Sequence, residues 1–151
     1  MILKALEMLA GWRLFRRVRP PERALDIIRW WESRRIPYNL IVAVVGIASG
    51  LIMLMTELAT EHVTGEALDA TRSPLFEIFA VIIFAMMANI CFTGGWILEL
   101  LSRRLWGTRA EAFGEMAFTW GTLGSIFLTL VPAALTVVAG TYRILGTVLK
   151  N

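Results

Sequence analysis

The single histidine, His62, stands four residues before Glu66, a spacing that would put two metal ligands on one helical face. A protein zinc site takes three or four ligands, and the remaining candidates, Glu61 and Asp69, do not complete a set. The expectation is a solvated acidic loop, with no metal and no cofactor. Glu77 and Glu99 form a second candidate pair, because the 22 residues between their positions return to within about 40° of one helix face. At about 1.5 Å per residue they lie roughly 33 Å apart, so they cannot share a proton or flank one bond. Glu99 with Arg103 reads instead as an i, i+4 ion pair at a helix end. Cys91 is the only cysteine; it can form no intrachain disulfide and has no basic partner to activate it.

The other chemistry-bearing side chains sit inside apolar runs. Asn89, followed one turn later by Thr93, is the most expensive residue to place in lipid and must find a protein partner. Thr119, Thr122, Ser125 and Thr129 recur at spacings of three, three and four, followed by Pro132 and Thr136. With Asn89 and Thr93 this stripe could line a hydrated path. Equally, each hydroxyl could bond the carbonyl four residues back, with Pro132 freeing the carbonyl near Leu128 and favouring a kink. Gly46 and Gly50 form a GxxxG that suits close helix packing, within the chain or between subunits. No GxSxG, HExxH, phosphate-binding glycine loop or CxxC occurs. Nucleophile, metal and nucleotide chemistry therefore lack a starting point, and a non-enzymatic role is expected.

These residues belong to three apolar runs, 38 to 56, 78 to 98 and 116 to 142, in a 151-residue chain of 57% hydrophobic content. From Ile78 to Leu98 no charge interrupts the sequence, which covers roughly the 30 Å of a bilayer's hydrocarbon. The spacing predicts an all-α, three-transmembrane-helix bundle with spans at about 38–57, 76–101 and 115–143, following amphipathic interfacial helices in residues 1–37.

Charge along the chain suggests its orientation. Residues 1–37 carry nine Lys/Arg against four acids, whereas the connection from Glu57 to Pro74 has only Arg72; the next connection regains Arg103, Arg104 and Arg109. Basic residues favour the cytoplasmic side, so the N-terminus is expected inside and the C-terminus outside. All six tryptophans, Trp12, Trp30, Trp31, Trp96, Trp106 and Trp120, fall near that same cytoplasmic interface, with Tyr142 at the opposite one. Residues 1–19 lack the apolar core and cleavage site of a secretory leader, which makes a bacterial inner membrane the expected address. The Arg-rich start would also suit an organelle presequence.

In the N-terminal segment, Ile2, Leu3, Leu6, Leu9 and Ala10 recur at helical spacing ahead of Arg13, Arg16 and Arg17. After Pro20-Pro21, a second short helix places Ala24, Ile27, Ile28 and Trp31 on one face, and Pro37 is expected to stop it before the first span. Arg13, Arg16, Arg17, Trp30, Trp31, Arg34 and Arg35 are the expected contacts to lipid headgroups, preferentially anionic ones.

Two stretches, RWWESRRIPYN at Arg29 to Asn39 and ANICFTGGWILELL at Ala88 to Leu101, resemble segments of an uncharacterised family of small multi-pass bacterial membrane proteins. The resemblance implies that Tyr38-Asn39 and Asn89 to Cys91 belong to a shared scaffold, and it brings no activity with it. Three roles follow as expectations. The first is a scaffold or accessory subunit that self-associates or pairs with another membrane protein. The second is a homo-oligomeric channel or permeabilising effector built on the hydroxyl stripe. The third is a lipid-modifying or lipid-transporting enzyme using Glu32, Arg34 and Arg35. Nucleic acid is not an expected partner, because Trp and Leu mixed with Arg beside a span favour lipid.

Overall fold

The computed structural model of the chain describes residues 12–17, 21, 23–65 and 74–150, and their regular structure is entirely helical. Helix α1 is the single turn Trp12–Phe15; α2 runs Ala24–Thr64, α3 Pro74–Trp106 and α4 Phe113–Val148, with a 3-10 turn at Gly107–Ala110 between the last two. The expected interfacial helix over residues 2–10 lies outside the described residues.

The long helices extend past their apolar runs, and the ends of α2 and α3 carry recognisable caps. At the start of α2 the Arg23 amide donates to Asp26 Oδ2 at 3.0 Å, an acid three residues inside the helix reaching back to the cap. At its end Gly65 adopts φ +68° and donates its amide to the Glu61 carbonyl at 2.9 Å, the left-handed termination that glycine allows. Gly107, at φ +58°, follows the end of α3. Pro74 opens α3 at the one helical turn where a missing N–H is harmless.

Two expectations need correction. Pro37 does not stop a helix: α2 is continuous for 41 residues, about 60 Å, long enough to hold both the charged N-terminal segment and a full crossing. Proline removes one intrahelical hydrogen bond, and the packing on either side outweighs that loss, because Ile27, Trp31 and Tyr38 are buried along one stripe that passes through it. Likewise the connection expected from Glu57 is helical as far as Thr64, so His62 sits exposed on the last turn of α2. Helix α4 runs unbroken through Pro132.

All three long helices are long and apolar enough to cross a membrane. Their outward side chains include Leu40, Ile47, Met55, Ile82, Ile90, Leu98, Leu123, Phe127 and Leu135, all exposed. A soluble monomer rarely exposes apolar surface on this scale, and hydrocarbon is the solvent that suits it. The chain is an all-α, membrane-embedded protein with three candidate spans.

The chain divides into two compact units, Met1–Asn39 with Met86–Gly124, and Leu40–Ala85 with Ser125–Asn151. The first is built on aromatic rings. Phe118, 2% exposed, packs against Phe15, Trp30, Trp31 and Phe92 at centroid distances of 5.4, 5.6, 5.7 and 6.2 Å, and Phe92 also meets Trp31 and Tyr38. The tryptophan and Phe92 contacts on Phe118 are edge-to-face, the arrangement ring quadrupoles favour. Gly95 lies directly under the Trp31 ring, where any Cβ would collide with it.

The second unit is built on small residues, as close packing between membrane helices requires. Ser49, buried on α2, donates to the Thr129 carbonyl on α4 at 2.9 Å, and Gly46 approaches Thr129 Cγ2. A Cβ on Gly140 would stand 2.8 Å from both Thr56 Cγ2 and Thr60 Oγ1. Ala133 is buried on the same helix.

Candidate functional site

Within the first unit the chain's most concentrated chemistry gathers on Glu99, whose side chain is fully buried. Helix α3 carries Glu99 near its C-terminal end, and Arg103, one turn on, donates Nε–H to Oε1 at 3.1 Å, the ion pair expected from spacing. The remaining donors come from far away in sequence. Arg17 meets both carboxylate oxygens, Nη1 on Oε1 and Nη2 on Oε2, the latter at 2.6 Å. Trp31 Nε1 donates to Oε2 at 2.8 Å. A carboxylate has roughly four lone-pair positions, and all four are taken.

The surroundings fix this arrangement. Arg17 is 5% exposed, and its backbone amide donates to Glu115 Oε1 at 2.7 Å in the first turn of α4, where a carboxylate also suits the helix dipole. Arg34, on α2, holds the end of α1: its Nε donates to the Leu14 carbonyl and its Nη2 to the Arg16 carbonyl at 3.3 Å. The Trp30 ring lies against both the Arg17 and the Arg34 guanidinium, 4.3 and 4.1 Å from its centroid. Gly114 faces the carboxylate so closely that an alanine Cβ would overlap it.

Chemically, a carboxylate with every lone pair committed and two guanidinium partners cannot accept a substrate proton or bind a metal without dismantling its site. It is a latch. It fastens residues 14–17 to α2, α3 and α4.

Several residues expected to meet lipid headgroups have other partners. Arg17 and Trp31 turn inward onto the Glu99 carboxylate, and Trp31 does so from the buried stripe that it forms with Ile27 and Tyr38 on α2. Arg34 is engaged with backbone carbonyls, and half-buried Trp30 is stacked between guanidiniums. Arg35 pairs with Glu32 at 2.7 Å, reaches Thr93 Oγ1 at 3.2 Å and lies over the Phe92 ring. Arg16 is exposed, and the Arg13 side chain lies outside the described residues.

Asn89 finds its partner in Asn39. Each amide donates to the other's oxygen, at 3.2 and 3.3 Å, joining α2 to α3. The hydroxyls are satisfied locally: Thr93, Thr119, Thr122 and Thr129 donate to the carbonyls of Asn89, Glu115, Phe118 and Ser125, each four residues back. Thr122 is buried and Ser125 half-buried. Of the GxxxG pair, Gly46 faces Thr129, whereas Gly50 is exposed with nothing within 4 Å of an added Cβ. No group of three or more His, Cys, Asp or Glu able to hold a metal ion occurs among the described residues, and Glu66 lies outside them.

The latch was only partly visible in spacing, since Arg17 and Trp31 are 82 and 68 residues from Glu99. Gly95 and Gly114 are the hidden signal, two glycines in helices where a ring and a carboxylate approach the backbone. Comparison with known protein families, curated proteins and solved structures finds no match to this chain.

Proposed function

We propose that this chain is a non-enzymatic membrane scaffold or accessory subunit, embedded in the inner membrane with its N-terminus cytoplasmic and its C-terminus outside. The saturated Glu99 carboxylate carries the reading: the one fully buried acid among the described residues serves to fasten the N-terminal segment. The Asn39–Asn89 pair and the back-bonded threonines point the same way, because polar groups within the spans are spent on holding helices. What remains for a partner is the outward apolar face, including the open flank at Gly50.

Two measurements on the full chain in liposomes and nanodiscs test this together. Native mass spectrometry is expected to show a discrete assembly that Gly50→Ile weakens without loss of helix content, while ion flux stays at the empty-vesicle level. Flux that disappears when Thr122, Ser125 and Thr129 are changed to Val would overturn the proposal in favour of a channel.

A further inference from the structure

Beside the latch, and still within the first unit, an open pocket of about 490 Å³ lies between the start of α2 and the end of α3. Its lining is divided in character. Leu100, with Pro21 and Ala24, supplies an apolar wall with Ile27 buried behind it, Arg23, Arg103 and Arg104 are the basic lining residues, and Glu111 is the single acid. Arg103 is already committed, to Glu99 and to the Glu111 carbonyl. The side chains of Arg23 and Arg104 have no hydrogen-bond or ion-pair partner among the described residues.

We propose that this pocket binds the phosphate-bearing headgroup of an anionic phospholipid. Two uncommitted arginines lining one cavity, Arg23 just before α2 and Arg104 on α3, match a phosphodiester with two accepting oxygens. A free phosphate offers the same oxygens, but it has no use for Pro21 and Leu100. A phospholipid has, because its glycerol and upper acyl carbons follow the phosphate into apolar surroundings. The position suits it as well: the apolar run of α3 ends at Leu98, just before the lining residues Leu100, Arg103 and Arg104, which is where headgroups would begin. The Glu111 carboxylate in the lining and Asp26 at the start of α2 both oppose an anion and weaken its binding.

The full chain in nanodiscs of phosphatidylcholine with phosphatidylglycerol, released gently and weighed by native mass spectrometry, reports which lipid it retains. Retention of phosphatidylglycerol over phosphatidylcholine is expected, falling about fivefold for Arg23→Gln or Arg104→Gln, the effect of removing one cation near a lipid surface. Arg104→Lys should keep most of the retention and Glu111→Gln should raise it. Both arginines are exposed and outside the latch, so helix content should be unchanged in each variant. Calorimetric titration of the lipid-depleted protein with inorganic phosphate is the second arm. Binding of phosphate as tight as that of short-chain phosphatidylglycerol would overturn the lipid assignment, and equal lipid retention by wild type and Arg23→Gln/Arg104→Gln would overturn the site.

Discussion

Removing the Glu99 carboxylate tests the latch directly. In Glu99→Leu the Arg17 guanidinium, 5% exposed, loses both its acceptors, Arg103 loses its ion-pair partner and the Trp31 indole N–H is left without an oxygen. Breaking a buried ion pair from one side costs about 3–5 kcal/mol, mostly through the charge left behind. Arg103, 17% exposed, can swing toward water, which keeps the expected loss within that range instead of above it. Arg17→Met should cost less, about 2–3 kcal/mol, because Trp31 and Arg103 still serve the carboxylate. In the double variant the stranded guanidinium is gone, so the combined loss should fall short of the sum by about 2 kcal/mol or more. Stability is read from helix content during SDS titration of the protein in dodecylmaltoside. Trypsin cleavage after Arg17 gives a local reading, expected to quicken by two to three orders of magnitude in Glu99→Leu if opening is fast relative to cleavage. A loss below about 1 kcal/mol, or additivity within about 0.5 kcal/mol, would refute the reasoning.

The glycine contacts give sharper contrasts by the same titration. Alanine normally favours a helix over glycine by about 1 kcal/mol, yet Gly114→Ala should destabilise because its Cβ meets the Glu99 carboxylate, while Gly124→Ala, in open space, should not. Asn89→Leu should cost about 1 kcal/mol by stranding Asn39, and Asn39→Leu/Asn89→Leu should recover much of it; no recovery would mean the amide pair is not what joins these helices. Gly140→Ile should cost about 1–3 kcal/mol by overpacking against Thr56 and Thr60, whereas Gly50→Ile should leave monomer stability unchanged.

Sequence periodicity was sufficient for the three helices because a bilayer crossing demands length and apolarity, both properties of a contiguous segment. The same contiguity made Glu99–Arg103 and the threonine back-bonds legible, since each lies within one helical turn. Hydropathy marks what tolerates lipid, not which side a neighbouring helix occupies. In sequence Gly50 is therefore equivalent to Gly46, although of the two only Gly46 approaches α4. The average preference of their residue types points Arg17 and Trp31 to headgroups. Their inward orientation depends on a carboxylate more than sixty residues away, and single-chain spacing carries no record of that pairing.

An apolar clasp would have served the N-terminal segment as well in energy, so the use of charge calls for a reason. Replacing a buried ion pair by packed hydrophobic groups is often neutral or stabilising, which makes stability a weak explanation for the Glu99 cluster. Register is a better one. Phe15 rests on Phe118 through a ring contact that tolerates sliding, whereas Arg17 must present both Nη atoms to two oxygens while its backbone amide reaches Glu115. Those directional bonds admit one placement of residues 14–17. In Glu99→Leu/Arg17→Met, crosslinking from an Arg16→Cys probe to cysteines placed one at a time along the start of α4, in a Cys91→Ala background, should therefore yield several products where the latched protein yields one. A single product in both would mean that aromatic packing alone sets the register, and that the buried charge has some other use.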